Sequence, residues 1–118
     1  MLLVGFGLED TIEKVKKMAY KVANLRIFPD SNDKLNLSIK DVCGKILSIS
    51  QFTLYGDASH GNRPSFTNAL KAGAKELYLE FNEILRKEYN LIVEEGIFGA
   101  DMNVKITNVG PTTIFLEV

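Results

Sequence analysis

The sequence has one cysteine, one histidine and no tryptophan among its 118 residues. Cys43 alone cannot close an internal disulfide, which suits a reducing compartment, and it reads as a small core residue. His60 lies in a loop rich in Gly and Asn and reads as a surface group. With a single histidine, neither a hydroxyl–imidazole relay beside Ser50 or Thr53 nor a Cys/His metal cluster has its parts, so no metal or cofactor is expected. The formal net charge of −1 excludes a long basic groove and leaves only local contact with a nucleic acid. No apolar run approaches the ~20 residues of a membrane span. Met1–Gly7 is apolar but short, lacks the basic start and cleavage site of a secretory signal, and reads as a buried strand. These absences point to a cytoplasmic protein with no membrane partner.

What is present is an ordinary globular composition, 46% hydrophobic and 25% charged, in a length suited to one domain with its own core. Leu2–Phe6 reads as a strand covered on both faces. Asp10 or Thr11 then caps a helix whose Ile12, Val15, Met18, Ala19 and Val22 recur at three- and four-residue spacing. Leu25–Phe28 and Leu35–Ser38 read as strands around the polar turn 30–33. Lys45–Leu54 is the longest strand candidate, and Gly56–Pro64 a surface loop. A second helix is expected from Ser65 or Thr67 to about Tyr89, with Asn90 as a C-terminal cap. Leu91–Val93, Met102–Ile106 and Thr112–Val118 complete a β-α-β-β-β-α-β-β-β order, which implies a mixed sheet with two helices packed on it.

Two stretches stand where chemistry is placed, at the ends of elements. Ser50-Gln51-Phe52-Thr53-Leu54-Tyr55 closes the longest strand with polar side chains ahead of a Gly-rich loop. Asn108-Val109-Gly110-Pro111-Thr112-Thr113 is a Gly-Pro corner between two strand-like runs, where glycine permits close approach and proline removes a donor. Phe98 and Met102 read first as core residues. Composition and spacing take the reading no further than a soluble α/β domain.

Ser50–Tyr55 together with Asn108-x-Gly110-Pro111-x-Thr113 resembles the two signature motifs of D-aminoacyl-tRNA deacylases. Leu25–Phe28, Leu35–Ser38, Arg63–Phe66 and Gly96–Met102 support it, so the likeness runs from Leu2 to Val118. It implies an α/β (α+β) domain with a mixed, mainly antiparallel, barrel-like sheet and two helices. The implied activity is hydrolysis of the ester joining a D-amino acid, or glycine, to the tRNA 3′-terminal adenosine, by a homodimer with its sites at the subunit interface. Ser50, Gln51, Phe52 and Thr53 would form the catalytic strand end, with backbone N–H groups near Phe52 and Thr53 facing the developing oxyanion. Phe98 and Met102 would pack against the adenosine. Gly110, Pro111, Thr112 and Thr113 would line the substrate from the other subunit, with a cis Gly110–Pro111 peptide whose backbone leaves no room for an L side chain.

The sequence departs from that family in two places. Thr112 stands where the family usually has valine, which adds a hydroxyl that needs a partner if buried. The family's usual N-terminal strand and hairpin do not precede Leu2, so the expectation is a single, N-terminally shortened domain over 1–118 with an open sheet edge. Two alternatives stay open: a non-catalytic tRNA- or DNA-binding or interaction protein on the same fold, and an editing relative with relaxed chirality.

Overall fold

Central strand β4 (Lys45–Ser50) is the axis of the molecule, which is described over residues 1–118 by a computed structural model. Ile46, Ser48 and Ile49 of β4 are buried, as a strand covered on both faces requires. It pairs in parallel on one side with β1 (Leu2–Val4), Leu2 opposite Ser48 and Val4 opposite Ser50. On the other side lies β5 (Ile92–Glu95), also parallel, with Ser48 opposite Glu95. Parallel neighbours need a crossover, and the two helices lie in those crossovers. Helix α1 (Ile12–Asn24) falls between β1 and β4, and α2 (Ala74–Lys87) between β4 and β5. A separate antiparallel pair, β2 (Phe28–Pro29) and β3 (Leu35–Leu37), completes the regular structure.

Thr11 caps α1, its hydroxyl accepting from the Lys14 N–H at 3.4 Å. Val15, Ala19 and Ala23 turn inward. They meet Tyr78, Phe81, Leu85 and the inner side of β4 and β5 in one continuous core. No helix is long and apolar enough to cross a membrane.

Several elements differ from expectation for identifiable reasons. The main sheet is three-stranded and parallel, rather than mainly antiparallel and barrel-like. The two strands expected at Met102–Ile106 and Thr112–Val118 are absent, and residues 101–118 make no backbone hydrogen bond to the rest of the chain. An alternating apolar pattern becomes a strand only against a partner edge, and here none is engaged. The radius of gyration, 15.2 Å, accordingly exceeds the roughly 13.5 Å of a compact chain of this length. Helix α2 starts at Ala74 instead of Ser65 or Thr67 because the preceding backbone is used elsewhere. Leu70 N–H donates to Phe6 O at 2.8 Å, and Gly7 bridges Ala69. The helix proper ends at Lys87, and Asn90 takes a left-handed φ of 56° just before β5.

The strand expected at Leu25–Phe28 shrinks to its last residue and Pro29, and β1 stops at Val4 with Leu3 exposed. Cys43 is exposed rather than buried, in a left-handed turn that carries the chain into Gly44.

Candidate active site at the end of β4

β4 ends at Ser50: the last bond of its ladder with β1 is Gln51 N–H to Val4 O at 2.7 Å, and past it the chain turns away. Phe52–Tyr55 then forms a single 3₁₀ turn, where a strand was expected to continue to Leu54. Leu54 N–H closes on Gln51 O at 3.3 Å and Gly56 N–H on Thr53 O at 2.9 Å. The first N–H groups of such a turn have no partner inside it. Those of Phe52 and Thr53 find none elsewhere in the chain. Two adjacent backbone donors are therefore free at the strand end.

The Gln51 side chain spans the turn, its Nε2 donating to Thr53 Oγ1 at 2.6 Å. Phe52, 56% exposed, is steadied by an edge-to-face contact with Phe66 at 5.3 Å between ring centroids. Gly5 makes the tight approach possible, since a Cβ there would sit 2.9 Å from Gln51 O.

Ser50, Phe52 and Phe98 share the wall of a hollow with Val4, Leu70 and Ala74. Its volume is ≈ 20 Å³, room for about one water. No ionisable side chain lines it, so any charge developing there meets backbone dipoles rather than a fixed ion. Tyr55, at the far end of the turn, has its hydroxyl pushed up by burial and by the nearby Asp10 and Glu117 charges, which keeps it protonated.

Of the expected site residues, the structure gathers Ser50, Gln51, Phe52, Thr53 and Phe98. Met102 packs a short way off over Gly96, where a Cβ would meet its sulfur at 2.5 Å and Ile49 at 3.4 Å. Gly110, Pro111, Thr112 and Thr113 stand apart and exposed, so the Thr112 hydroxyl is solvated. The Gly110–Pro111 peptide is trans where the resemblance implied cis. Nothing lies within 4 Å of where a Gly110 Cβ would stand, so the intrinsic trans preference of about 0.5–1 kcal/mol decides. His60 is a surface group whose Nδ1 meets Ser59 Oγ at 2.9 Å, and Thr53 has no base in reach. Sequence reasoning missed Gly5 and Phe66. Gly5 carried a signal, for a glycine inside an apolar strand run marks a close backbone approach.

Comparison with known proteins identifies the family. The sequence profile of the D-Tyr-tRNA(Tyr) deacylase family matches residues 1–117. A D-aminoacyl-tRNA deacylase of Clostridium perfringens (strain SM101 / Type A) is 56% identical over 117 residues, 98% of this chain and 78% of that protein. Another, from Exiguobacterium sp. (strain ATCC BAA-1283 / AT1b), is 56% identical over 118 residues, covering 99% and 80%. A solved structure of the c-Myc DNA Unwinding Element Binding Protein superposes with a TM-score of 0.90 at 42% identity, covering 98% of this chain and 79% of its own. The chain belongs to the D-Tyr-tRNA(Tyr) deacylase family.

Proposed function

We propose that this chain hydrolyses the ester of D-aminoacyl-tRNA, releasing the free D-amino acid and tRNA as chiral proofreading. The observation that carries the reading is the pair of unpartnered N–H groups on Phe52 and Thr53 at the end of β4. Water adds to the ester carbonyl carbon, and the tetrahedral oxyanion is held by those two donors, fixed before the reaction begins. Collapse breaks the bond to the ribose 3′-oxygen, which takes a proton and leaves. Thr53 lacks a base and its hydroxyl accepts from Gln51, so the terminal ribose 2′-hydroxyl is assigned the proton transfers and Thr53 a supporting role. Ser50 and Phe98 shape the hollow, with Phe98 and Met102 facing the adenosine.

A hollow with room for about one water does not enclose an aminoacyl-adenosine. The site is completed by a second copy of the chain in a homodimer, whose Gly110–Thr113 corner closes over the α-carbon and bars an L side chain by contact with backbone. What supports this is the arm itself. It carries unpaired backbone together with apolar groups left in water, Val109 at 91% and Phe115 at 75% exposure, a surface that calls for a partner. The substrate places the protein in the cytoplasm. A non-catalytic binding role is not favoured, because the relatives named as deacylases are 56% identical to this chain over the matched residues and the Phe52–Tyr55 turn is formed. The test is a time course of D-tyrosine release from D-Tyr-tRNA, which the chain should accelerate at catalytic concentration.

A further inference from the structure

Tyr78 is almost wholly buried at 1% exposure, yet it reaches 30 residues back along the chain. Its hydroxyl donates to the main-chain carbonyl of Ser48 at 2.7 Å. Ser48 is the last residue of β4 paired with β5; beyond it the strand is held only by β1 before it turns at Gln51. The same ring lies 6.0 Å from Phe98, tilted by 43°. One side chain of α2 therefore touches both the strand that leads to Phe52 and Thr53 and the Phe98 ring, which lines the hollow.

We propose that Tyr78 is a positioning residue for ester hydrolysis, its hydroxyl fixing the end of β4 and its ring backing Phe98. The proposal rests on the deacylase reading of the Ser50–Thr53 turn. Without the hydroxyl, the fully buried Ser48 carbonyl loses a partner that water cannot replace. The strand end then gains freedom along the direction in which the Phe52 and Thr53 donors must be aimed. Asn82, one turn further along α2 and also fully buried, makes a useful contrast. It donates to Glu95 Oε2 at 2.7 Å and so ties α2 to β5, not to the strand that carries the turn.

The experiment compares the full chain with Tyr78→Phe and Asn82→Ala. It measures thermal midpoint, kcat and KM for D-Tyr-tRNA, and amide hydrogen exchange at Gln51, whose N–H reports on the strand end. Tyr78→Phe should lower kcat by about 10- to 100-fold, the size expected when donors are misplaced by a fraction of an ångström to an ångström. KM should stay within about twofold because the ring is retained, and Gln51 should exchange faster relative to amides of α1. Asn82→Ala should lower the midpoint at least as much while changing kcat by less than about threefold. A Tyr78→Phe protein with wild-type kcat and wild-type Gln51 exchange would overturn the proposal. So would two variants that lose kcat equally and in step with stability. If the unmodified chain releases no amino acid, the deacylase reading fails by itself, and Gln51 exchange in Tyr78→Phe still decides whether Tyr78 holds the strand end.

Discussion

Gln51 Nε2 and Thr53 Oγ1 are 2.6 Å apart, and the amide is the donor. The contact closes a ring of side chain and backbone across the turn, in which the threonine hydroxyl is the acceptor.

That polarity separates two mechanisms. Thr53→Val removes the hydroxyl at nearly constant shape and should leave kcat within about tenfold of wild type, since only support of Gln51 is lost. A substrate ending in 2′-deoxyadenosine should instead react at least about 100-fold more slowly, the scale of a lost proton-transfer group. Single-turnover rates on the two pairings check this; a dead Thr53→Val enzyme with an indifferent 2′-position would reverse the assignment.

Gly5 supplies the second prediction. An added methyl would meet Gln51 O at 2.9 Å and the Leu54 Cβ at 3.2 Å, and the backbone oxygen cannot swing aside as a side-chain tip can. Gly5→Ala should therefore shift the turn and lower kcat by about 10²-fold, with overpacking costing about 1–3 kcal/mol of stability. Denaturant unfolding and initial rates measured on one preparation test whether activity falls further than stability.

The fate of the sequence reading shows where local signals end. Helix α1 was legible from its cap and its apolar stripe because both signals are local and agree. The Ser50–Tyr55 stretch was legible as a candidate catalytic motif only by resemblance. The free donors at Phe52 and Thr53 lie just past the last ladder bond, Gln51 N–H to Val4 O, where the 3₁₀ turn begins, a boundary set by contact between distant segments. The strand-like residues 102–106 and 112–118 misled because alternation records which faces are to be covered, not what covers them. Phe98 was read first as core and lies at the edge between core and hollow, a place where both descriptions hold.

Asp30 anchors the turn between β2 and β3, its carboxylate accepting from Asn32 N–H at 2.8 Å, Lys34 N–H at 3.1 Å and Asn36 Nδ2 at 3.1 Å. The Lys34 backbone hydrogen bond, then that of Asn32, hold its pKa below the usual 3.8. A depressed folded value means that the contribution is complete above 3.8, where both states are ionised. It is lost as pH falls through the folded value. The thermal midpoint should drop on acidification below about pH 4, and Asp30→Ala should flatten that dependence. Midpoints from pH 2 to 6 for both proteins decide it; parallel curves would mean the turn contributes nothing.

The arm yields a prediction about assembly. Phe115→Asp places a charge on a ring that is 75% exposed in the single chain and should cost the chain itself within about 0.5 kcal/mol. In a dimer the same charge would be desolvated, so sedimentation should show a monomer and D-Tyr-tRNA hydrolysis should fall with it. A Phe115→Asp protein that stays dimeric, or wild-type chain that sediments as an active monomer, would place the completing group elsewhere.

The most direct measurement is release of tyrosine from D-Tyr-tRNA and L-Tyr-tRNA, run side by side with this 118-residue chain. A backbone wall discriminates by steric exclusion, so the account predicts rapid turnover of the D form and release from the L form no faster than its spontaneous hydrolysis. Equal rates on both would contradict the steric account, and release from neither would contradict the assignment of the β4 turn as a catalytic site.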